Sequence, residues 1–115
     1  MKYLILITFL LAPIFHIFPK PNIKELSDKG ENLWNQRHIK GNIEKSLIIF
    51  KQILKYKTNY EYLLKLARSK AFYGKFLTKS KTLKRKAFSS CIKLANQGLS
   101  FSPNGFEGRF IRGLC

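Results

Sequence analysis

The chain has 115 residues, room for a single domain, and setting aside an apolar N-terminal stretch leaves about 95, few for a self-sufficient core. Its 22 Lys and Arg against 6 Asp and Glu give a net charge of +16, which raises nucleic acid and anionic lipid as partners. Seventeen of those cations are Lys among abundant Ile, Asn, Phe and Tyr, so the excess also fits the amino-acid usage of an AT-rich gene, and no acidic or disulfide-dense class is compatible with the composition.

Met1 and Lys2 open an apolar run over residues 3–18 whose only polar members are Thr8 and His16, closed by Pro19, Lys20 and Pro21. This is the n-region and h-region of a signal peptide or signal anchor, so residues 1–21 are set apart from a helical domain over 22–115. The run lacks an A-x-A-like cleavage pair, and it is short of the ~20 residues of a spanning helix. The lysines after it outnumber the one before it, which by the positive-inside rule argues for a cytoplasmic remainder; export to the periplasm, with or without a retained anchor, is the preferred expectation.

The spacing then predicts helices in succession. Residues 23–38 form an amphipathic stretch that begins with Glu25 and Asp28, suited to the positive end of a helix dipole. Gly41 is a stop and Asn42 a cap whose side chain is expected to accept from the next helix's free amides. Residues 43–56 carry Ile43, Leu47, Phe50 and Leu54 on one stripe. Asn59 caps a helix over 60–77, in which Leu63, Leu66, Ala67, Ala71 and Gly74 recur by threes and fours. The basic run 79–86 merges into a helix through Leu83, Ala87, Cys91, Ala95 and Gly98; residues 101–105 turn, and 106–115 begin a fifth helix. The chain contains no Val and no alternating strand pattern, so the expected fold class is all-α.

Two spacings recur. Leu33, Trp34 and Gly41 return 33 residues later as Leu66, Ala67 and Gly74, and Ser46, Phe50, Ile53 and Thr58 return 45 residues later as Cys91, Ala95, Gly98 and Pro103. A period in the thirties marks a helical-hairpin repeat, and the difference places a 12-residue insertion between the paired helices of the second unit. These positions resemble tetratricopeptide (TPR) repeats, in which small residues let paired helices approach and a Pro ends the unit. The resemblance implies antiparallel hairpins in a right-handed solenoid: two repeats plus the start of a third. Trp34 departs from it, a bulky ring where a small residue is usual. The segments 30–34, 63–68 and 95–110 further resemble the T component of tripartite (TRAP) transporters. That likeness implies an exported TPR-like accessory of a periplasmic substrate-binding protein, although the lipid-anchoring Cys and further repeats of that family are missing here.

In a TPR-like frame the inner face draws on Asn35, His38, Leu64, Arg68 and Phe72, which are the expected contacts for a protein partner or small ligand. Lys79, Lys81, Lys84, Arg85 and Lys86 are the expected footprint of an anionic surface, membrane or nucleic acid, in the competing reading. Nucleic acid is the less favoured partner, because an exported domain rarely meets it. No catalytic constellation emerges: His38 has no placed carboxylate, residues 105–109 lack phosphate-loop spacing, and neither Cys has metal-ligand spacing. A non-enzymatic binding protein without cofactor or metal is therefore expected. Cys91 occupies a small-residue packing position and is expected to be a buried free thiol. Phe106, Phe110, Ile111 and Leu114 would lack a partner helix, so self-association is expected, or else the chain is a non-functional fragment of a longer gene.

Overall fold

The computed structural model describes residues 20–115, and among them every regular element is helical. The five α-helices are α1 Ile23–Asn35, α2 Asn42–Leu54, α3 Tyr60–Phe72, α4 Lys81–Phe101 and α5 Phe106–Leu114, and a π-helical turn Tyr73–Leu77 continues α3. The expected signal or anchor segment falls, but for Lys20 and Pro21, outside the described residues. None of the described helices is long and apolar enough to cross a membrane.

Local chemistry accounts for most boundaries. Asn22 Oδ1 accepts from the Glu25 amide at 3.1 Å and starts α1, and Asn59 Oδ1 accepts from the Tyr62 amide at 2.9 Å and starts α3, as its position in the sequence predicts. Asn42 behaves otherwise. Its side chain donates to the Gln36 carbonyl at 2.9 Å and ties down the α1–α2 connection, while Gly41 ahead of it takes φ +89°, a left-handed conformation that favours glycine. Because Gln36 to Gly41 are held in this hydrogen-bonded turn, α1 ends at Asn35 rather than near His38.

The two units are built on different close approaches. In the first, a Cβ placed on Gly30 would stand 2.7 Å from Phe50 Cζ, so it is Gly30 that lets the Phe50 ring fill the α1–α2 interface. Trp34 does not obstruct that hairpin, since it meets Phe72 of α3 instead. In the second unit the seam is made of small residues: Ala67 and Ala71 of α3 cluster with Cys91 and Ala95 of α4, all buried. A Cβ on Gly74 would lie 3.1 Å from that of Ala87, and one on Gly98 would lie 3.2 Å from Leu64 Cδ2. The units join where Ser46 and Ser69, both fully buried, share a hydrogen bond of 3.0 Å, and Leu33 and Leu66 pack into one cluster with Phe50 and Ile53. The expected 12-residue insertion corresponds to no loop: the π-helical turn and the 21-residue α4 occupy that stretch, and only Thr78, Lys79 and Ser80 connect the helices of the second hairpin.

α5 folds back onto α3 and α4, which corrects two expectations. Ile111 is 3% exposed and belongs to the core rather than to an uncovered end, and Cys115 is disulfide-bonded to Cys91, so Cys91 is buried but not a free thiol. The Cα atoms of the pair are 5.7 Å apart across 24 residues of sequence, within disulfide range. That proximity arises only once α5 reverses direction. The start of α5 has no cap in its own sequence: Gly105 offers no side chain, and the Gly108 amide donates instead to the Tyr60 hydroxyl at 2.8 Å. Tyr60→Phe is expected to cost about 1 kcal/mol, the usual worth of a lost cap, with α5 amides exchanging faster than those of α3; uniform exchange across the two helices would show that the hydroxyl does not cap.

Candidate functional site

Side chains of three helices, α1, α3 and α5, line an apolar groove of about 260 Å³. α1 contributes Trp34; α3 and its π-helical extension contribute Arg68, Ala71, Phe72, Lys75 and Phe76; α5 contributes Glu107, Phe110, Ile111 and Leu114. Helical spacing explains the α3 wall, since residues 68, 72, 75 and 76 recur by threes and fours on one face. The groove's aromatic floor is continuous: the Trp34 and Phe72 rings meet edge to face with centroids 5.8 Å apart, and Phe72 and Phe76 lie 4.8 Å apart.

At the α1 end this floor is wrapped by cations. The guanidinium carbons of Arg37 and Arg68 stand 4.6 and 4.4 Å from the Trp34 ring centroid, within cation–π range. The Arg37 guanidinium also donates to the Trp34 carbonyl at 3.1 Å. Arg68 is held by the Glu31 carboxylate, which also faces Lys65 at 3.4 Å, and Lys65 donates to Glu61 at 2.8 Å. Burial pushes the Arg68 guanidinium below its ordinary value, against the opposing field of Glu31. For Lys65 burial acts in the same direction, but the Glu61 hydrogen bond and the charges of Glu31 and Glu61 prevail and hold its ammonium above the ordinary range. Arg68 Nε is buried with no hydrogen-bond partner.

Of the inner-face residues expected from sequence, the structure brings together Arg68 and Phe72. Leu64 is 2% exposed and packs in the core with Ala67 and Cys91, so it supports the α3 wall rather than touching a ligand. Asn35 and His38 are exposed at the end of α1 and in the turn after it, and neither lines the groove, because α1 stops a turn earlier than its amphipathic pattern suggests. The groove residues that sequence reasoning missed are Trp34, Ala71, Lys75 and Phe76, and from α5 Glu107, Phe110, Ile111 and Leu114. Trp34 had a signal, its bulk at a position usually kept small; the α5 members had none, since their place depends on how the last helix docks. Lys79, Lys81, Arg85 and Lys86 are exposed and Lys84 half-buried, all at the far tip of the second hairpin rather than at the groove. Among the described residues no group of three His, Cys, Asp or Glu side chains could hold a metal ion.

The fold and this groove define a small all-helical protein with an aromatic, cation-rimmed concave face. Comparison with protein-family models, with curated proteins and with solved structures gives no match.

Proposed function

We propose that the chain is a non-catalytic, TPR-like binding scaffold that works outside the cytoplasm, with the α1–α3–α5 groove as its capture site. The observation that carries this reading is the groove itself: side chains from three helices line it, and its aromatic floor of Trp34, Phe72 and Phe76 is rimmed by Arg68. Such a site suits an extended apolar peptide segment or a small apolar ligand carrying an acceptor. The groove-lining side chains include no Ser, His or Cys nucleophile, and Arg68 is engaged by the Glu31 carboxylate and the Trp34 ring. A disulfide in a domain this small favours an oxidising compartment, which supports export. Service to a periplasmic substrate-binding protein of a TRAP-type transporter is the specific role that the sequence resemblance suggests.

Trp34 is the chain's only tryptophan, so its emission reports directly on the groove. Titration with the apolar anionic dye anilinonaphthalene sulfonate is expected to quench Trp34 by energy transfer and to enhance dye emission at one site per chain. Phe72→Ala should weaken that binding about tenfold, the equivalent of ~1.4 kcal/mol from a lost aromatic contact, while Ile48→Ala on the exposed face of α2 leaves it unchanged. Dye binding that ignores Phe72, or that leaves Trp34 unquenched, would place capture elsewhere and sink the reading.

A further inference from the structure

The second hairpin ends in a tip of which the groove uses only Lys75 and Phe76. Phe76 and Leu77 close the π-helical turn, three residues connect them to α4, and Leu83 lies in the first turn of α4; these side chains are 62%, 43% and 43% exposed. Around them stand Lys75, Lys79, Lys81, Lys84, Arg85 and Lys86, and no acid occurs anywhere from Tyr62 to Phe106. We infer that this tip docks on an anionic lipid bilayer, with Leu77 and Leu83 entering the interfacial layer and the neighbouring cations meeting lipid phosphates.

Three features converge on that partner. The tip is ordered by its own hydrogen bonds, since the Ser80 amide donates to Thr78 Oγ1 and the Leu83 amide to Ser80 Oγ, each at 3.2 Å. Its exposed apolar groups are thus presented on short, capped structure instead of being free to collapse. Next, cations crowd the first turns of α4, where the helix dipole is already positive and where no acidic residue intervenes. That arrangement is unfavourable in isolation and is relieved by a dense anionic surface. Finally, the apolar members separate lipid from nucleic acid. A phosphate backbone would satisfy the lysines and stacking could use Phe76, but the exposed aliphatic Leu77 and Leu83 gain only where hydrocarbon is available. Apolar residues set in a basic patch are the general composition of peripheral membrane contacts.

The test uses the full chain, because the apolar segment over residues 3–18 can itself bind vesicles and whole-chain affinity would not isolate the tip. On a Trp34→Phe background, Leu77→Trp, and separately Leu83→Trp, place a reporter in the tip, and Ile48→Trp places one on α2. With vesicles of phosphatidylcholine containing brominated phosphatidylglycerol, the reporters at 77 and 83 should shift to the blue and be quenched, and the one at 48 should not. Replacing Lys79, Lys81, Arg85 and Lys86 together by Gln should raise the lipid concentration for half-maximal quenching at least about tenfold, given roughly 1 kcal/mol for each cation at such a surface. Equal quenching at 48, no quenching at 77 and 83, or quenching that ignores the anionic lipid would each overturn the proposal. So would tight binding of duplex DNA that survives a rise from about 50 to 200 mM salt while the tip reporters stay silent, an outcome that assigns the cations to nucleic acid.

Discussion

Phe50→Ala is expected to destabilise the domain by about 3–5 kcal/mol, the range for removing a buried aromatic ring. Phe50 is fully buried, stands over Gly30 in the α1–α2 interface, and belongs to the cluster that joins the two hairpins through Leu33 and Leu66. Neither neighbour can refill the space. Gly30 has no side chain to move, and the helices on both sides are held by the Ser46–Ser69 hydrogen bond and the bonded turn before α2. Against a total stability of about 5–15 kcal/mol for an ordinary domain, the loss leaves little margin. Chemical denaturation of the two proteins measures it directly, and an unchanged midpoint would mean that the ring is not in the core.

Loss of the Cys91–Cys115 disulfide is the second large effect. Closing 24 residues of chain is worth about 3.5 kcal/mol in the chain-entropy account of cross-links. The consequence is unevenly distributed, because α5 has nine residues and is too short to persist as a helix unless it is held. What holds it is the disulfide at its C-terminal end, Ile111 in the core and the Tyr60 hydroxyl at its N-terminal end. A Cys91→Ser, Cys115→Ser double variant should therefore lose α5 before the rest of the domain. With α5 goes the groove wall formed by Glu107, Phe110, Ile111 and Leu114. The wild-type chain treated with a thiol reductant should show the same lowered midpoint and weakened dye binding at Trp34, while the variant ignores the reductant. A wild-type midpoint that stays put after thiol titration has confirmed reduction would show that packing alone retains the helix.

This dependence on α5 also redefines the expected sticky end. Ile111 is covered, but Phe106, Phe110 and Leu114 remain 83%, 57% and 48% exposed, and the Phe106 and Phe110 rings stack on each other with centroids 6.4 Å apart. Phe110 and Leu114 face the groove. The exposure that suggests an unfinished repeat is thus in part the apolar lining of the groove.

What the amino-acid sequence determined by itself is the local layer. The absence of Val and the spacing by threes and fours specify helices, and Asn59 specifies a start, because each of these signals acts within a few residues. Arg68 and Phe72 were legible for the same reason, being one turn apart on a single face. The tertiary structure decided what depends on how helices meet. Gly30 rather than residue 34 admits the close approach of α1 and α2, Trp34 turns to Phe72, Leu64 is withdrawn into the core, and Cys91 finds Cys115. The first of these rests on the crossing of two consecutive helices and the others on elements that arrive from farther along the chain, and no periodicity within one helix encodes the angle at which the next one crosses it.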